Sequence, residues 1–296
     1  MLAQRCSSSK RKGAAEAFKY QRKHSSPYGD AQDGEQSLGA AMPRWWPDLA
    51  GSWIFYSTLP PLPGVSPRFE RIARFAPLLG LVIGGAQAVL WWLGQQLGLP
   101  IAACTALVLA FGLILSGGLH LDGVMDTGDG LAAGPRQLEA MADSRIGASG
   151  LLAVVLVLLL KTAALLSLGP LAPAMLIWSA VWGRIAPLPA MAWFPYLRKE
   201  GSAAFHRLQR QELAMELLPG ALLIGLLAAL CLSTNPTSLR IVALVAGLSG
   251  FLPSVLVPLE LGRRLGGHTG DSYGACVEWS EALALWCGWF SWWLLN

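Results

Sequence analysis

From residue 75 onward the apolar residues gather into long runs rather than the narrow stripes of a soluble helix. A helix needs about 20 such residues to cross a bilayer. Runs of this kind cover 75–97, 100–118, 149–168, 172–194, 214–233, 238–258 and 282–295. The pattern predicts an all-α polytopic membrane protein: about seven transmembrane helices, joined by short cytoplasmic helices that carry the active site. The last run is short but uncharged, and its tryptophans ("WCGWFSWWLLN") suit one membrane interface, as does "WW" at 91–92. Within the first run, "GLVIGG" has small residues at the spacing that lets helices approach closely, which is first a packing feature.

The beginning of the chain breaks this pattern. Residues 1–41 are polar, basic at first and mixed later, with no apolar core of a signal peptide. Such a segment buries too little apolar surface to fold alone. The expected organisation is therefore a disordered extension over 1–41 and an integral membrane domain over 42–296. Translation from Met42 would account for the tail equally well, and N-terminal sequencing of the native protein distinguishes the two.

Composition and charge sharpen the picture. The chain is 54% hydrophobic and 14% charged, which excludes an ordinary soluble domain. Five cysteines, an odd number without a CxxC pair, exclude a disulfide framework or a zinc site. The N-terminal segment holds eleven of the 22 Lys and Arg. With seven spans it falls on one side together with 119–147 (Arg136, Arg145), 195–213 (Arg198, Lys199, Arg207, Arg210) and 259–281 (Arg263, Arg264). The opposite connections hold no acid, and Arg240 is the only base near them. The positive-inside rule then predicts an inner (cytoplasmic) membrane protein with its N-terminus and charged loops in the cytoplasm.

Asp122, Asp126 and Asp129 stand at i, i+4 and i+7 in "HLDGVMDTGDG". On a helix these positions fall within ~60° of one another. Three carboxylates on one face repel unless a cation neutralises them. All-oxygen donors favour Mg²⁺ or Mn²⁺, and Mg²⁺ completes its shell with water and substrate phosphate. A helix start favours an acid such as Asp122. That alone does not account for three acids on one face beside Gly123, Gly128 and Gly130. His120, beside the cluster, reads as a local hydrogen-bonding group.

Further polar residues follow. In "RQLEAMADSRIGASG", a short helix, Asp143 either adds to the metal shell or orients Arg145, whereas Glu139 reads as surface. Lys161 and Arg184 lie within spans, where a charge faces a partner or a polar cavity. Each is either a phosphate ligand or half of a buried ion pair. "RRLGGHTGDSYGACVEWSEAL" (263–283) is a second acidic, glycine-rich element. Gly267 and Gly270 allow close backbone approach, Thr269 caps a helix starting near Gly270, and Asp271 shares a face with Glu278.

Together "GGLHLDGVMDTGDGL", "EAMADSRIGASG" and "LGGHTGDSYGACVEWSE", with "FYSTLPPLP" and "FAPLLGLVIG" upstream, resemble the cobalamin synthase family, the adenosylcobinamide-GDP ribazoletransferases. The likeness covers about 45–296. Val124 and Met125 stand where that family usually has Leu and Ala, and no carboxylate is lost. The resemblance implies a Mg²⁺-dependent integral membrane enzyme of vitamin B12 assembly. An α-ribazole hydroxyl attacks the cobinamide-linked phosphorus of adenosylcobinamide-GDP and GMP leaves. α-Ribazole 5′-phosphate is the other candidate acceptor.

On that reading Asp122, Asp126, Asp129 and Asp143 are the expected metal ligands. Asp126 or Asp129 takes the proton. Lys161, Arg184 or Arg145 steadies charge on the phosphorus oxygens. Asp271, Glu278, Gly267 and Gly270 hold a second ion or the α-ribazole. The expected partners are the two substrates and the lipid bilayer, not nucleic acid, and a homo-oligomer is compatible with all of this. Two rivals fit less well. A CDP-alcohol phosphotransferase needs an Ala-Arg after its first Asp-Gly, which is missing from "DGVMDTGDG". A transporter predicts acids at mid-span, whereas these sit at span ends.

Overall fold

The computed structural model describes residues 43–198, 213–234 and 237–295. The expected disordered extension at 1–41, and the basic residues Lys199, Arg207 and Arg210, lie outside the described residues. The chain divides into two units, Met1–Trp46 and Pro47–Asn296, each taken by itself. Of the first, only a turn is described, in which Trp46 N donates to Pro43 O at 2.9 Å.

The second unit is helical. Its elements are α1 (Trp46–Tyr56), α2 (Ala76–Gln96), α3 (Ile101–Ser116), α4 (Leu119–Ala133), α5 (Ala148–Ser167), α6 (Ala172–Ile185), α7 (Pro187–Trp193), α8 (Leu213–Thr234), α9 (Thr237–Leu248), α10 (Phe251–Leu265) and α11 (Gly270–Leu295). A single turn at Gln137–Ala140 lies between α4 and α5. Among the described residues the only β pairing is one parallel bridge, Tyr196 to His268.

Among the described residues, five segments are long and apolar enough to cross a membrane: Ile72–Gln96, Ala148–Ser167, Gly169–Trp193, Leu213–Ser233 and Arg240–Leu265. A sixth is counted if α3 and the helix following it form one span, broken by a 90° bend. The expected count of seven is not reproduced, for two physical reasons. Segment 100–118 yields only 16 helical residues before the chain turns at Gly117 and Gly118. Both adopt left-handed backbone angles (φ 59° and 69°) that glycine tolerates best. Segment 282–295 is the second half of the 26-residue α11, whose first half carries Asp271 and Glu278. We take these five segments and α3 as membrane-spanning, since the Thr58 N–H, ahead of the first span, donates to Leu115 O at the end of α3; α4, turned away from the axis of α3, lies outside them. Leu152, Leu156 and Leu159 on α5 and Leu222, Leu226 and Leu230 on α8 are exposed, an apolar surface suited to lipid.

Small residues set the closest helix contacts. A Cβ at Gly80 would lie 2.4 Å from Ala180 O, and one at Gly84 would lie 2.6 Å from Leu176 O, so "GLVIGG" lets α2 lie directly on α6. Charged segments gather at one end. Gln137 Nε2 donates to Leu265 O (2.7 Å), Arg198 Nη2 donates to Met141 O (3.1 Å), and Tyr196 bridges His268. Thr58 N donates to Leu115 O, bringing the connection after α1 to the same end. Asp48, fully buried on α1, accepts from Arg68 Nε (2.5 Å) and Arg74 Nη2 (2.6 Å), which pins that connection.

Candidate active site

The acidic stripe is helical as its spacing requires, and α11 supplies a fourth acid to it. A Cβ at Gly123 would lie 2.3 Å from the Asp271 carbonyl oxygen and 3.1 Å from Gly274 Cα. Without one, α4 and α11 touch backbone to backbone, and Asp122 and Asp126 stand beside Asp271. Asp122 is exposed; Asp126 and Asp271 are half-buried. Burial, then the charges of Asp271 and Asp122, push the Asp126 carboxyl up to about 7, against the pull of Arg198. Burial also raises the Asp271 carboxyl, opposed by Arg198 and reinforced by Asp122. Arg198 Nη2 stands 2.9 Å from Asp271 Oδ2. The cluster is therefore under-neutralised at neutral pH, which a cation relieves.

The glycines that border the stripe serve packing. Beside Gly123, Gly128 accommodates Gly150 and Ala153 of α5, and Gly130 accommodates Met141. Asp129 is engaged locally. Its Oδ2 accepts from Gly147 N (2.8 Å) and its Oδ1 from Gly150 N (2.7 Å), so it satisfies orphan amides at the start of α5. Glycine is required there, since a Cβ at either position would lie within 2.5 Å of an Asp129 oxygen.

The other predicted residues distribute as follows. Asp143 and Arg145 form an exposed pair (Nη2 to Oδ2, 2.7 Å) that holds the Asp143 carboxyl down to about 2. Lys161, Arg184 and Glu278 meet in the protein interior with Glu281. Lys161 Nζ lies 2.6 Å from both Glu278 Oε2 and Glu281 Oε2, and Arg184 Nη1 lies 2.5 Å from Glu281 Oε1. Two cations and two acids balance, joining α5, α6 and α11. Gly267 packs on Pro195, whose carbonyl oxygen would be 2.5 Å from a Cβ. Gly270 opens α11, and Thr269 Oγ1 accepts from Ser272 N at 3.2 Å as the expected cap.

Sequence reasoning did not single out Arg198, whose only signal was a basic stretch, or Glu281, which paired with nothing nearby in the chain. His268 was also passed over. It is fully buried, with Nε2 3.1 Å from Pro258 O and Nδ1 3.0 Å from Ser272 Oγ. A carbonyl only accepts, so Nε2 carries the proton. The Phe194 and Tyr273 rings flank it. Burial lowers its pKa from 6.5 to about 4, against the pull of Pro258 O. The unfolded chain then binds a proton between these values that the folded protein does not. Stability supplied by neutral His268 is complete above pH 6.5 and falls, by about 3 kcal/mol in all, as pH drops to about 4. Unfolding in detergent between pH 7 and 4 is expected to show a shallower pH slope for His268→Gln than for the wild type; parallel slopes would refute the assignment.

The cobalamin-5-phosphate synthase (CobS) family model matches residues 48–289, which include α2 to α10 and most of α1 and α11. The chain belongs to this family. Two adenosylcobinamide-GDP ribazoletransferases of Prochlorococcus marinus, strains MIT 9303 and MIT 9313, are 55% and 54% identical to it, over 82% of this chain and 95% of their own. The ribazoletransferase of Trichormus variabilis is 41% identical over 80% of this chain and 94% of its own. No solved structure matches. Membership of the cobalamin-5-phosphate synthase family sets aside the two rival readings, and every acid described above falls within the matched residues.

Proposed function

We propose that the protein transfers the cobinamide phosphate of adenosylcobinamide-GDP to α-ribazole or its 5′-phosphate, releasing GMP. The observation that carries this is the meeting of acids from two helices, Asp122 and Asp126 with Asp271, beside Arg198 at one end of the helices. The acceptor oxygen forms a bond to the cobinamide-linked phosphorus as the bond to GMP breaks, and Asp126 takes the acceptor's proton. Asp126 is half-buried beside Asp122 and Asp271, so its carboxylate stands where the acceptor hydroxyl must give up a proton. Arg198 takes the charge-stabilising role on the phosphorus oxygens, because Lys161 and Arg184 are committed to Glu278 and Glu281.

The donor set fits Mg²⁺. Among the described residues no three His, Cys, Asp or Glu side chains form a ready cage. Mg²⁺ needs only one or two carboxylates, the rest of its shell being water and phosphate. Asp122 and Asp126 would hold it, and it would supply neutralisation of the diphosphate. The gathering of Arg136, Arg145, Arg198, Arg263 and Arg264 on the segments at the site's end supports a cytoplasmic face of the inner membrane and an inside N-terminus. This support requires α3 to cross, which returns the chain after α2 to the side of the N-terminal segment. Membranes containing the protein are expected to release GMP from adenosylcobinamide-GDP plus α-ribazole with Mg²⁺, and to stop when the metal is chelated. Absence of metal-dependent release would overturn the proposal.

A further inference from the structure

A cavity of about 80 Å³ opens beside Asp122 and Asp271. Its walls include Phe55 and Tyr56 of α1, Tyr273 of α11 and Met191 of α7. Tyr56 and Tyr273 are buried and Phe55 is half-buried, with the Phe55 and Tyr56 rings edge to face at 4.9 Å. We propose that this cavity is the subsite for the flat base of the acceptor nucleoside; the inference rests on the transfer reaction proposed above.

Three features carry it. Ring-lined walls suit a planar π system, and stacking accepts any base because every base has a π face. The volume admits the inner edge of such a ring system, with unbranched Met191 able to adapt, and excludes a corrin macrocycle. The charges at the mouth decide between the two nucleosides of the reaction. The acids at the mouth suit a hydroxyl that must lose a proton, whereas Arg198, on the far side of Asp271, suits the donor's diphosphate. Asp271 divides the space: it lines the cavity, and its Oδ2 is 2.9 Å from Arg198. Attack in line with the leaving group requires acceptor and GMP on opposite sides of the phosphorus. The acceptor base therefore occupies the aromatic side and the diphosphate the arginine side.

Phe55→Leu keeps the apolar bulk and removes the ring, and a thermal melt checks that it folds. Its KM for α-ribazole is expected to rise about tenfold, with the KM for adenosylcobinamide-GDP unchanged and Phe55→Tyr near wild type. Equilibrium dialysis of α-ribazole against donor-free protein reads the same site without turnover, and its affinity should fall by the same factor. A rise in the donor KM alone, or unchanged acceptor KM and affinity in a protein that releases GMP, overturns the subsite and leaves the reaction standing. Phe55-dependent binding of α-ribazole without GMP release supports the subsite and overturns the reaction.

Discussion

Replacing Asp126 by Asn is expected to reduce GMP release by about 10³-fold or more while leaving the melting temperature unchanged or slightly raised. The two effects have one cause. Asp126 is half-buried among Asp122, Asp129 and Asp271 with only Arg198 opposing them, so its charge destabilises the empty fold and serves the reaction. A neutral isostere removes both the repulsion and the group that binds metal or accepts the proton. Asp129→Asn should behave in the opposite way. Its amide group would face the Gly147 or Gly150 N–H that the carboxylate now accepts, at a loss of about 1–2 kcal/mol in stability. Activity assays paired with thermal melts of both variants test the division. Near-wild-type turnover in Asp126→Asn would sink its assignment to the chemistry.

The second large effect belongs to Glu281. Glu281→Ala takes a carboxylate from two cations at once, leaving Arg184 with Ala180 O and Lys161 with Glu278. Breaking a buried pair from one side typically costs about 3–5 kcal/mol, so folded yield and melting temperature in detergent should fall sharply. Removing charge from both sides is gentler. Glu281→Leu with Arg184→Met leaves Lys161 paired with Glu278 and should recover much of the loss. If that double variant folds and still turns over, Arg184 holds helices together and does not grip phosphate. If it folds but is dead, the phosphate role expected from the sequence is restored to Arg184. A melting temperature unmoved by Glu281→Ala would refute the buried network itself.

Local regularities were legible in the sequence. The i, i+4, i+7 spacing placed Asp122, Asp126 and Asp129 on one helical face, and Thr269 marked the start of α11. What was illegible depends on partners distant in the chain or on backbone groups. Lys161 and Arg184 read as costly charges within spans, yet their acids lie 97 to 120 residues away. Asp129 looked equivalent to its neighbours because nothing in its own helix reveals the Gly147 and Gly150 amides that occupy it. The span count of about seven was not reproduced among the described residues where hydropathy was continuous but geometry was not. A double-glycine turn shortened one run, and α11 fused an acidic loop with a tryptophan-rich run into one helix.

The backbone contact at Gly123 has a consequence for how this site tolerates change. No layer of side chains separates the Asp271 carbonyl from α4, so nothing there can repack. The gap between the two sets of acids is a dimension inherited from two main chains. Mutation elsewhere, heat or a different lipid would alter how often α4 and α11 meet, but not how far apart they stand when they do. Damage from outside the site should thus register as a smaller active fraction with native substrate affinity, whereas a methyl group at Gly123 acts as a wedge that resets the gauge in every molecule.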